Sequence, residues 1–165
     1  MTAILKLMDG LIRLTHNVAA VMLAVAAALV FYQVITRFIL GDSAVWSEVL
    51  ARAVIVWGVF LIMGPAIRQN SMIPIDVIRG LFPENKQIWI IRLVTMAVGL
   101  FLLILLWYGY KMTLRVVHQQ VAMLDVSVAW FYVAIPVGAA LALPGLALAH
   151  MDAEILHRTQ AEAAK

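Results

Sequence analysis

The residues of this sequence that could carry chemistry are few, and they stand at the margins of long apolar runs. Glu48 and Arg52 are four apart with the acid first, the favoured order for a same-face pair on a helix. They precede an uncharged run, Ala53 to Ile67, that stops at Arg68. A run of about 15 helical residues rises about 23 Å, short of a hydrocarbon core of roughly 30 Å. The helix therefore starts near Ala44 and carries Glu48 and Arg52 in its first turns, with the acid toward the positive end of the helix dipole. An ionisable group at a bilayer centre costs about 3 kcal/mol on insertion scales, so such a group needs a partner or an interface. Two readings are open: a pair that anchors a helix end, and a pair that meets another polypeptide.

The four histidines, His16, His118, His150 and His157, raise redox chemistry. Haem in a helical bundle needs histidines facing one another from different spans. His16 and His150 fall at the ends of the first and last apolar runs, so a haem-binding membrane anchor of a respiratory complex is the alternative reading. Both lie at helix ends, however, and not at depth. No His or acid pair has metal-ligand spacing inside an apolar run. Neither a nucleophile constellation nor a phosphate-binding glycine loop is present. The expectation is a protein with no catalytic residue, no metal and no cofactor.

The elements that must position these residues are apolar helices. Hydrophobic residues make up 65% of the chain and charged residues 13%, and the mean hydropathy is +1.00, well outside the soluble range. The expected architecture is a single all-α membrane domain over residues 1–165. Its spans cover about 18–36, 44–67, 88–110 and 128–149, followed by a tail over 150–165. Residues 1–16 form an amphipathic arm, with Lys6, Asp9, Arg13 and His16 on a face away from Ile4, Leu5, Leu7, Met8, Leu11, Ile12 and Leu14. The favoured reading of this arm is an interfacial helix among lipid headgroups, and the other is a docking arm for a partner.

Ala20, Ala24 and Ala28 in span one form a four-residue stripe that allows close helix approach, as do Ala134, Gly138 and Ala142 in span four. Gln33 is placed to hydrogen-bond across helices. Pro65 bends or ends span two, and Pro136 and Pro144 kink span four. Between spans two and three, Pro74 opens a short surface helix carrying Ile75, Ile78 and Phe82 on one face. No internal repeat and no broken span of the kind that exposes backbone at depth marks a self-sufficient transporter.

Charge sets the topology. The net charge of +3 is small and dispersed, which excludes nucleic acid as a partner. With the N-terminus inside, Lys6, Arg13, Arg68, Arg79, Lys86, Arg92, Arg158 and Lys165 are cytoplasmic, against Arg37, Arg52, Lys111 and Arg115 outside. That excess puts both termini in the cytoplasm. The absence of cysteine excludes disulfides.

Several short patterns, in order, carry a family resemblance. A Gln-Val-x-x-Arg-aromatic pattern is met by Gln33, Val34, Arg37 and Phe38, and a Ser-x-x-Trp-x-Glu-Glu-x-x-Arg pattern by Ser43, Trp46, Glu48 and Arg52. Trp57 and Phe60 follow, then Ile73, Ile75 and Asp76 of a His-Ile-x-Val-Asp pattern, and lastly Tyr132, Pro136 and Gly138. Val49 replaces the second Glu and Met72 the His. Over roughly residues 20 to 140 the chain resembles the small membrane subunit of tripartite ATP-independent periplasmic (TRAP) transporters. The resemblance implies an inner-membrane subunit of a secondary, sodium-coupled transporter that takes up an organic acid. It also implies two protein partners beside the membrane lipids: a large membrane subunit holding the ion and substrate sites, and a periplasmic binding protein. The small subunit would scaffold the large one and help form the docking surface. On this reading the residues at partner interfaces, or structurally decisive, are those of the motifs: Gln33, Arg37, Ser43, Trp46, Glu48, Arg52, Trp57, Phe60, Asp76, Tyr132, Pro136 and Gly138.

Overall fold

The uninterrupted apolar runs become long helices. The computed structural model describes residues 2–41, 44–70, 84–121 and 124–163. Helix α1 spans Thr2–Phe38, α2 Val45–Asn70, α3 Glu84–Arg115, α4 Ala129–Tyr132 and α5 Ala134–Ala163. Four stretches are long and apolar enough to cross a membrane: Ile4–Phe38, Val45–Gln69, Gln87–Arg115 and, through α4 and α5, Ala129–Leu156. The protein is an all-α, four-helix membrane protein.

The helices exceed the expected spans, and the reason differs at each. The arm over residues 1–16 is not a separate helix but continues into span one as α1. Nothing between Gly10 and Gly41 breaks it, since that stretch contains neither glycine nor proline. A helix of 37 residues rises about 55 Å, well beyond the core of a bilayer. It ends at Phe38, and Gly41, three residues on, takes a left-handed φ of 70° in the turn that follows. Helix α3 likewise runs to Arg115, so Lys111 and Arg115 belong to a helix and not to the following loop. The tail after His150 extends α5 without interruption.

At Val133 the last span is divided. Pro136 has no N–H to offer the Tyr132 carbonyl, which frees the backbone there. Val133 and Val137 still donate to Ala129 and Val133, at 2.9 and 3.2 Å, so the chain path carries on. The preceding loop is closed by backbone bonds from Val128 N to Gln119 O and from Val121 N to Val126 O, each 2.8 Å. Ser127 joins the turn just past α3 to the start of α4, donating to Val117 O and accepting from Ala129 N. The short surface helix expected near Pro74, with Asp76, lies outside the described residues.

The four long helices lie in a row, in the order α1, α2, α5, α3. α1 packs on α2, α2 on α5, and α5 on α3, while α1 meets α5 only sparsely. Small residues form the seams. Ala51, Ala134, Ala139, Ala142, Ala149 and Ala153 are buried, whereas Leu23, Phe31, Trp89, Leu93, Met96, Leu100 and Trp107 are exposed. That inversion of the soluble pattern follows from the solvent, because lipid gives large apolar side chains no reason to turn inward. The two small-residue stripes fare differently. Ala134, Gly138 and Ala142 are buried, but Ala20, Ala24 and Ala28 face outward, and α1 instead turns Ala19 and Ala26 inward.

Two glycines set the α2–α5 distance. A Cβ on Gly138 would lie 2.6 Å from the Phe60 carbonyl oxygen, and one on Gly145 would lie 3.0 Å from Gly64 Cα. Both obstacles are backbone, which cannot swing aside. Gly138→Ala and Gly145→Ala should each destabilise the purified chain by about 1 to 3 kcal/mol, the usual scale of overpacking. Gly10→Ala, with nothing within 4 Å, should be neutral or stabilise α1 by up to about 1 kcal/mol. Thermal melts in mild detergent that place all three variants alike would refute the close-approach account.

Candidate functional site

Each end of the helix row carries a set of polar side chains that join neighbouring helices. At the end holding the α1–α2 turn, Glu48 is the hub. Its Oε1 accepts from Arg52 Nη2 one turn along α2, and its Oε2 accepts from Gln33 Nε2 of α1 at 3.0 Å. The acid sits in the first turn of α2, where the helix dipole favours it. Gln33 is the residue that brings α1 to this acid. Arg37, which could have competed for Glu48, instead lies 5.8 Å from the Phe38 ring centroid. Beside the hub, the Tyr32 and Trp46 rings meet at 6.0 Å with a 48° tilt.

Ser47 is wholly buried there, and its hydroxyl donates to Ala44 O at 2.7 Å. Thr36 and Thr15, also buried, donate to Gln33 O and Ile12 O. These hydroxyls are satisfied within their own turns, as a low-dielectric setting requires.

The other motif residues join α2 to the last span. Trp57 Nε1 donates to the Trp130 carbonyl at 2.9 Å. Phe60 supplies the backbone against which Gly138 rests, and Pro136 abuts Gly109 of α3. Tyr132 ends α4, immediately before the Val133 division. Ser43 and Asp76 lie outside the described residues.

The opposite end holds a second set that sequence reasoning did not assemble. Arg68 of α2 is paired with Asp9 of α1, and its Nε lies 3.6 Å from Asp152 of α5. Asp9 also holds Arg13 at 3.0 Å. Further along, Arg92 of α3 is 3.3 Å from Glu154 of α5. His150 contacts Thr95 Oγ1 through Nδ1 at 3.0 Å and Glu154 through Nε2 at 3.5 Å. All four long helices are thus linked side by side. The available signal was that complementary charges sit at the same end of separate apolar runs. Read one run at a time, Arg68 and Arg92 served only to orient the chain, and Asp152 and Glu154 belonged to a tail.

This geometry gives the haem reading no support, because both ring nitrogens of His150 are engaged. Among the described residues no three His, Cys, Asp or Glu side chains gather as a metal site. What the two sets can do is fasten helices laterally. A double-mutant cycle on Gln33→Ala and Glu48→Ala, read as melting of the chain in detergent, should show coupling above about 0.5 kcal/mol. Strict additivity would mean that the α1–α2 bond contributes nothing. Arg68→Ala removes the cation that Asp9 and Asp152 share, leaving Asp9 to Arg13, and should lower the melting temperature more than Arg13→Ala, whose side chain is 79% exposed.

Comparison with known proteins identifies the family. Residues 26–152 match the family model described as tripartite ATP-independent periplasmic transporters, DctQ component. The chain is also similar to the sialic acid TRAP transporter small permease protein SiaQ of Vibrio cholerae serotype O1. The two are 25% identical over 135 residues, which cover 81% of this chain and 78% of the relative. The chain belongs to the DctQ family, the small membrane permease component of tripartite ATP-independent periplasmic transporters.

Proposed function

We propose that this chain works as a wall in a secondary, sodium-coupled TRAP transporter of the bacterial inner membrane. In this reading it scaffolds a large membrane subunit and helps form the surface that receives a periplasmic binding protein. The observation that carries the proposal is where the ionic side chains lie. Those of α1, α2, α3 and α5 stand toward helix ends, and Glu48 with Arg52, Arg68 with Asp9, and Arg92 with Glu154 are spent on one another. The apolar middles of α1, α2 and α3 are continuous, and the division of the last span at Val133 falls near its end and not at mid-depth, so among the described residues no span is broken where it would present carbonyls to an ion. Ion and solute sites therefore belong to another subunit, and the exposed flanks of α1 and α3 at the two ends of the row are available to it.

The solute is proposed only by class, as an organic acid. The Vibrio relative's name gives sialic acid for that system, and the resemblance of the motifs supports the same class here. The motif residues near the α1–α2 turn, Gln33, Arg37, Ser43, Trp46, Glu48 and Arg52, are proposed to shape the periplasmic side of the subunit. Trp57, Phe60, Tyr132, Pro136 and Gly138 would hold the α2–α5 seam behind them, and Asp76 would serve on the cytoplasmic side.

Orientation follows the distribution of Lys and Arg, with both termini cytoplasmic. Reporter fusions at Asp42 and near Val121 should read as periplasmic, and one near Asn85 as cytoplasmic. The reverse pattern would overturn the orientation. In liposomes the chain alone should move no solute under a sodium gradient, and uptake should appear only with a large membrane subunit and a binding protein supplied. Sodium-driven uptake by the isolated chain would sink the wall reading.

A further inference from the structure

Two cavities open between α1 and α2, and they meet at His16. One, of about 320 Å³, is apolar and is walled by Ala19, Ala20 and Leu23 against Ile55, Gly58 and Ile62. The other, of about 560 Å³, continues toward the helix ends and is polar, walled by Asp9, Arg13 and His16 of α1, Arg68 and Gln69 of α2, and Asp152 of α5.

Their dimensions and charges fit one kind of molecule. From His16 to Leu23 the apolar groove descends about 10 Å, most of one leaflet of a roughly 30 Å hydrocarbon core. The polar groove begins where headgroups lie. It holds two Arg and two Asp, a formal charge of zero with His neutral. Arg13 commits only Nε to Asp9, and its side chain is 79% exposed. Asp152 is 42% exposed and meets Arg68 through one oxygen at 3.6 Å. An accessible cation and an accessible anion thus stand together above an apolar channel.

We propose that this composite groove is a binding site for a zwitterionic phospholipid that carries a primary ammonium. One acyl chain lies along Ala20 and Gly58, Arg13 donates to the phosphate, and Asp152 accepts from the ammonium. An anionic lipid would meet two carboxylates with no cation of its own. A quaternary ammonium has no N–H for Asp152. A helix from a partner subunit would fill the apolar part but leave the polar pair unmet.

The test uses the full chain in phosphatidylcholine vesicles with trace nitroxide-labelled phosphatidylethanolamine, phosphatidylglycerol or phosphatidylcholine. The readout is the motionally restricted fraction of each lipid in electron spin resonance spectra. Phosphatidylethanolamine should be restricted about three- to fivefold in excess of the other two, the scale of an accessible ion pair. Ala20→Trp, which fills the groove, should abolish the excess, and Asp152→Asn should reduce phosphatidylethanolamine to the phosphatidylcholine level. Equal restriction of all three lipids would overturn the proposal, as would a preference for phosphatidylglycerol. Should Ala20→Trp fail to fold, Asp152→Asn and Arg13→Ala, both at exposed side chains, still decide it, because an unchanged lipid preference in both refutes the site. Loss of the excess on assembly with the large membrane subunit would show the groove to be a helix seat, and would refute the proposal too.

Discussion

Backbone meets backbone where α2 crosses α5, and the rest of the row depends on that closeness. Gly64 and Gly145 face each other, and Gly138 rests on the main chain of Phe60. In water such a seam would be helped by expelling solvent from large side chains. In lipid that drive is absent, so helices associate through van der Waals packing, hydrogen bonds and complementary shape. Only the smallest residues bring enough atoms into range. The buried alanines of α5 extend the same logic toward both of its neighbours, and α5, like α2, packs on two sides.

Polar contacts do a different job, fixing register and order along the row. Helices packed on small residues can slide, because alanine and glycine surfaces are nearly featureless. Glu48 to Gln33 at one end, and Asp9 to Arg68 to Asp152 at the other, pin α1, α2 and α5 at defined heights. Arg92 with Glu154 pins α3 in the same way. These groups cluster at helix ends because an ionised side chain is costly at mid-depth and cheap where it can reach headgroups. The pins at the two ends therefore define the thickness over which the row is apolar.

How much of this could be read in the sequence follows from the range of each interaction. The apolar runs were legible because bilayer thickness imposes length on every span. Glu48 with Arg52 was legible because four-residue spacing fixes a helical pair without any tertiary knowledge. Gln33 could be marked as polar near the far end of its span, but its acceptor lies on another helix and had no local signature. The stripe of Ala134, Gly138 and Ala142 pointed inward as its pattern suggested. The stripe of Ala20, Ala24 and Ala28 did not, because an alanine-rich helix offers several small faces and the partner chooses among them. Here Gly58 of α2 sits against Ala19 and Met22, and that choice turns the other face outward. The Asp9, Arg68 and Asp152 set escaped notice because its members are separated by whole spans. The arm was placed as a separate element because its charge pattern changes near His16, yet a change of polarity does not break a helix when no proline or glycine accompanies it.

The position of α5 has a consequence for how the chain is made. Helices leave the ribosome in the order α1, α2, α3, α5, but they stand in the order α1, α2, α5, α3. The first two can pair as soon as both are in the membrane. α3 enters with no neighbour of its own, since its mate, α5, follows it in the chain. Until α5 arrives, α3 is an orphan beside the ribosome, and the small-residue face of α2 is bare. The nascent subunit therefore passes through an interval in which two mismatched surfaces are open to lipid, to chaperones or to the wrong helix. One late insertion, wedged between α2 and α3, closes both at once.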